Sequence, residues 1–234
     1  MEFDVGKWLG KIIFESGNFQ ALYEYSSNEK YLMEYIGNRE IMGSKGKERI
    51  SNLSSSYKDS IVDSLSSSVR EALETMCNNM NVIAVAFLEG MMKELAVSVF
   101  VKHPVRMYKY IGENEAGSVS LKLILNEETK EALILNLANM AASTLLKGKF
   151  SSNIKNLEEI TKSTVPESLK KCLIKIVQHR NEFVHESKVK TLTNLDVKKN
   201  FDDVYEFLKW MGIAALSQNV PVDDPANLVI SEHA

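Results

Sequence analysis

Apolar residues recur at helical spacing along almost the whole chain. Val5, Trp8, Leu9, Ile12 and Ile13 make a first short stripe, and Leu22, Tyr23, Leu32, Tyr35 and Ile36 predict one or two further short helices. Gly37 to Lys47 is rich in glycine and charge and reads as a linker. Residues 51 to 68 carry nine serines, yet Ile61, Val62, Leu65, Val69, Leu73, Met76 and Met80 keep an i, i+3/i+4 rhythm. The stripe outweighs the composition and predicts a long helix with its serines towards solvent. Asn81 to Val101 reads as a second long helix, ended by His103-Pro104. It is apolar around most of its circumference, which places it at the centre of a bundle. A third helix is expected over Glu127 to Leu146 and a short one over Ile154 to Ile160. Pro166 is suited to start a helix running to about His185, with Thr164 as its cap and Glu167 in its first turn. Leu195 to Leu216 is the last helix, and the text after Gln218 reads as a loose acidic tail. The expected division is a helical extension and linker over 1–46, a helical domain over 47–218 and a flexible tail over 219–234.

Composition narrows the class. Of 234 residues, 44% are hydrophobic and 25% charged, which are globular values. With 11 Gly and 4 Pro, the punctuation of an all-β sandwich is lacking. The two cysteines, Cys77 and Cys172, form no C-x-x-C, so neither a zinc ribbon nor a disulfide framework is available. Isolated thiols fit a reducing, cytoplasmic setting. The first residues lack the basic start of a signal peptide. The most apolar stretch, Asn81 to Val101, holds Glu89, Lys93 and Glu94 in its middle, which argues for a buried helix and against a membrane span. A net charge of −3 excludes a protein that coats nucleic acid non-specifically, so any such role must be local.

The helix from Pro166 carries the candidate chemistry. Projected at about 100° per residue with Arg180 at zero, Leu169, Leu173, Ile176 and Val177 all fall within about 60° of it. A charge at the middle of an apolar stripe is unusual, because arginine is rarely buried without a partner. Asn181 and His185 lie just beyond the edge of the stripe. Two readings of this arc compete. In one, Arg180 snorkels or pairs with a carboxylate and His185 caps the helix end. In the other, the groups line a cleft where Arg180 holds a phosphate and His185 transfers protons.

Arg180-Asn181-Glu182-Phe183-Val184-His185 resembles the signature of the HEPN superfamily, an Arg and a His separated by four to six residues, often with a polar residue directly after the Arg. The segment from Ala86-Phe87-Leu88-Glu89 through Phe100 is similar to the second helix of prokaryotic members. The resemblance covers roughly residues 50 to 217. It implies an all-α bundle of four to five helices that dimerises through its motif helices into one composite cleft. Many members are metal-independent endoribonucleases of toxin–antitoxin or phage-defence systems. Carried over, Arg180 and His185 become the catalytic pair and Asn181 an orienting group. The partners implied are RNA, a second copy of the chain and a cognate antitoxin or regulatory protein, with no cofactor. One subgroup carries a Tyr two residues after the His, where this chain has Ser187, so the regulation tied to that Tyr is not implied.

Around the motif, residues 166 to 199 hold eight lysines or arginines against four acids, and Lys171, Lys175, Lys188 and Lys190 are candidates for a phosphate backbone. A solvated lysine face is the plain alternative. Glu89, in an apolar run, needs a partner. Lys93 at i+4 is the local choice, and Arg180 across the bundle is the sharper one, as a support fixing the guanidinium. His179 and His185 are spaced wrongly for a metal pair on one helix face. Gly43-Ser44-Lys45-Gly46-Lys47 lacks the Walker spacing and reads as linker. Two other functional classes remain open at this point, a non-catalytic helical interaction module and a nucleotide-binding partner of a nucleotidyltransferase.

Overall fold

A computed structural model describes residues 1–43, 46–111, 122, 124, 127–186 and 191–229. The described residues are predominantly helical, with two small two-stranded pairings. Helices α1 (Val5–Ser27) and α2 (Glu29–Asn38) lead into a hairpin of β2 (Glu40–Gly43) and β3 (Gly46–Arg49). The long α3 (Ser55–Lys102) follows, and then α4 (Lys130–Leu145), α5 (Phe150–Thr161), α6 (Glu167–Glu186) and α7 (Asn194–Ser217). Strands β1 (Phe3–Asp4) and β4 (Val222–Asp223) pair in parallel.

The two long helices expected over 51–80 and 81–101 are one helix of 48 residues. The composition changes at Met80, but no proline or glycine there stops the helix. Its second half is the centre of the bundle, with Leu88, Met91, Leu95 and Phe100 fully buried. Helices α1, α4, α6 and α7 pack against α3. The expected linker is the β2–β3 hairpin, paired from Glu40 opposite Arg49 to Gly43 opposite Gly46. Gly46, at φ 110°, takes a backbone conformation that other residues avoid.

The N-terminal segment shares the central core. Phe3, Val5, Trp8, Ile12 and Phe19 are buried in the same cluster as α3 and α7. A Cβ built on Gly90 would lie 2.5 Å from the Trp8 ring, so a glycine there lets the indole lie directly on α3. Residues 219–229, read from sequence as a loose tail, are also packed. Val229 is fully buried, and the Asp224 carboxylate accepts the backbone N–H groups of Leu228 and Val229 at 2.9 and 2.8 Å. His103 ends α3, and its ring nitrogen bonds the Gln218 carbonyl at 2.8 Å.

Candidate functional site

The site begins with what fixes α6 against α3. Asn81 of α3 is buried, and its side-chain N–H donates to the Ile176 carbonyl of α6 at 3.0 Å. Asn200 of α7 donates to the Asn81 carbonyl oxygen, also at 3.0 Å. A buried amide satisfied from two sides sets the register of three helices. At the start of α6, Glu158 of α5 accepts the Val165 N–H at 2.8 Å and pairs with Lys170 at 3.1 Å.

Leu173, Ile176 and Val177 are buried, but no residue of α6 after Val177 is. The apolar stripe leaves the core at this point, which resolves the anomaly of Arg180. Its side chain is 20% exposed and pairs with Glu89 of α3, Nη2 donating to Oε1. Glu89 is 57% exposed, not buried as its apolar surroundings suggested. Ala86, Glu89 and Lys93 form the open face of that part of α3. The pair joins two different helices, and Lys93 takes no part in it.

The pair opens onto a cleft of about 680 Å³ bounded by α3, α6 and the α4–α5 corner. Asn181 lines it from α6, Lys93 from α3, and Lys149, Phe150 and Asn153 from the corner. Hydrogen bonds tie the corner to the end of α4. Gly148 sits at φ 126°, and the side chains of Asn153 and Asn156 donate to the last carbonyls of α4, Leu146 at 2.8 Å and Leu145 at 2.7 Å.

The structure thus brings Arg180, Asn181 and Glu89 together. His185 is exposed, about 7.5 Å further along the helix axis by its five-residue spacing, and does not line the cleft. Lys171 and Lys175 are exposed on the arc of α6 opposite Arg180. Lys188 and Lys190 lie outside the described residues. The basic patch is partly neutralised, because Lys170 pairs with Glu158 and Lys199 with Asp203. Lys149 and Asn153 were missed from sequence, having no motif to mark them, and Lys93 was singled out only as a partner for Glu89.

Helix α7 starts at a capping box. The Thr193 hydroxyl accepts the Asp196 N–H at 3.2 Å, and the Asp196 carboxylate accepts the Thr193 N–H at 2.9 Å. These bonds hold the Asp196 carboxyl below its usual pKa. Burial pushes the Cys77 thiol up to about 11, so it has no nucleophilic character at neutral pH. Among the described residues no three His, Cys, Asp or Glu side chains cluster as metal ligands, and no helix is long and apolar enough to cross a membrane.

The RiboL-PSP-HEPN family model matches residues 44–211, a span that includes Glu89, the α4–α5 corner and the whole Arg180–His185 motif. No curated protein and no solved structure matches the chain. The match covers well over half of the chain, and with the helical bundle it settles the family: the chain belongs to the RiboL-PSP-HEPN family.

Proposed function

We propose that this protein is a metal-independent endoribonuclease that cuts RNA through attack of the 2′-hydroxyl, in a toxin–antitoxin or phage-defence system. The observation that carries the reading is the Arg180–Glu89 pair at the wall of an open cleft, with the arginine belonging to the family's motif. Glu89 occupies part of one guanidinium edge and fixes its plane. The remaining N–H donors are left for a phosphate. His185, exposed at the end of α6, takes the proton from the 2′-hydroxyl. The 2′-oxygen bonds to phosphorus, the bond from phosphorus to the 5′-oxygen breaks, and a protonated imidazole returns a proton to the leaving oxygen. The products are a 2′,3′-cyclic phosphate and a 5′-hydroxyl. Arg180 stabilises the crowded phosphate between them. Asn181, beside Arg180 in the cleft, orients the substrate.

A second copy of the chain supplies the second histidine. Val184 and Leu195 are exposed apolar side chains on either side of the stretch that follows His185. They offer that copy an apolar seat and bring its His185 towards the cleft.

The test is cleavage of RNA in EDTA by the wild type, His185→Ala and Arg180→Ala. Wild-type cleavage with cyclic phosphate ends is expected, and each variant should lose at least 100-fold. A second reading is favoured by the absence of His185 from the cleft lining, namely a non-catalytic RNA-binding or interaction module of the same fold. Tight RNA binding by folded dimers without any cleavage would select it.

A further inference from the structure

Not all of the positive charge that faces an incoming strand lies where the motif puts it. Glu89 offsets part of the charge of Arg180. Lys93 and Lys149 open onto the same cleft from two other elements, both exposed and neither with a carboxylate partner among the described residues. Lys149 is also the N-cap of α5, a helix of 12 residues that starts at the cleft with no side-chain cap and no acid in its first turn. Its first backbone N–H groups and its dipole add to the attraction for an anion.

We propose that Lys93, Lys149 and the first turn of α5 form a phosphate subsite of the cleft. It holds the backbone of an RNA strand beside the nucleotide that is cut. The inference rests on the ribonuclease reading for its substrate, and it assigns RNA binding to a wall of the cleft that contains no motif residue.

The experiment is anisotropy of the full-length protein with a fluorescent 2′-O-methyl RNA of twelve nucleotides, which cannot be cut, over a series of salt concentrations. Lys93→Gln/Lys149→Gln is expected to weaken binding about tenfold at moderate salt. It should also flatten the slope of log affinity against log salt by about 1.4, the share of two phosphate contacts on a single strand. Both lysines are exposed, and an unchanged thermal melt will show that the variant is folded. Unchanged affinity and slope in this variant would overturn the subsite. So would a slope that falls only with Lys171→Gln/Lys175→Gln, or a mononucleotide that binds the wild type while the strand does not. The two readings separate cleanly. Wild-type cleavage with a fully binding double variant removes the subsite and leaves the ribonuclease. Binding that depends on both lysines, with no cleavage by the wild type, keeps the subsite and removes the ribonuclease.

Discussion

Glu94 and Glu89 lie five residues apart on α3, about 140° apart around it, and they are used in opposite ways. Glu94 is 13% exposed. It accepts the Asp4 N–H at 3.0 Å and the Trp8 indole N–H at 3.1 Å, and it pairs with Lys7. All three donors come from the start of the chain, so the carboxylate closes the N-terminal segment onto the core. Glu89 is 57% exposed and has one charged partner, Arg180, at the edge of an open cleft. A carboxylate whose lone pairs are filled from one segment acts as a fastener. One that leaves its partner's donors uncovered can act as a positioning group. The difference is in surroundings, because both residues sit on the same helix.

The largest effect should come from breaking the closed site. Glu94→Ala leaves an indole N–H and a backbone N–H without their acceptor in a largely enclosed place. The expected loss is about 3 kcal/mol of stability. For a chain of this size that is a fall of about 6–12 °C in melting temperature. A melt within about 2 °C of the wild type would show that Glu94 fastens nothing.

At the open site the same kind of change should move chemistry and leave stability nearly untouched. Glu89→Gln removes the charge that orients Arg180, but an exposed ion pair contributes only about 0–1 kcal/mol. Under the ribonuclease reading, kcat is expected to fall about 10–100-fold with KM little changed, since a misplaced group costs rate. A variant that melts as the wild type does and cleaves as the wild type does would end the positioning role of Glu89.

The sequence made the Arg180–Glu89 neighbourhood legible because each residue was an anomaly in its own helix. Arg180 stood at the centre of an apolar stripe and Glu89 inside an apolar run, and two charges that do not suit their local pattern are candidates for each other. Lys93 was explained locally as a neighbour of Glu89, and Lys149 broke no local rule. Their importance comes from the meeting of α3 with the α4–α5 corner, which no local spacing encodes. The continuity of α3 was hidden by a change of composition at Met80, although no residue there ends a helix. The β2–β3 hairpin was hidden by glycine and charge, which a linker shares. The packing of residues 219–229 depends on Val229 reaching Gly212, distant in sequence, at a point that Val5 also approaches.

The smallest effect tests whether the contrast extends beyond α3. Asp196 is a fastener like Glu94, although it is exposed and stands at the start of α7, just after the segment that follows His185. Its carboxylate is held by the Thr193 N–H at 2.9 Å and the Thr193 hydroxyl at 2.7 Å, and these bonds lower its pKa. Thr193→Ala is expected to cost about 1 kcal/mol at neutral pH, the usual value of such a cap. A lowered carboxyl pKa contributes stability above the unfolded value, and that stability is lost as the pH falls through the folded one. The gap between wild type and Thr193→Ala should therefore narrow in melts taken at increasingly acid pH. Cleavage at a temperature well below the melt should stay within about twofold of the wild type, because the cap holds a helix end and touches no group of the cleft. A large loss of cleavage at constant stability would place Asp196 with Glu89 instead, and the α7 start would then belong to the working part of the molecule.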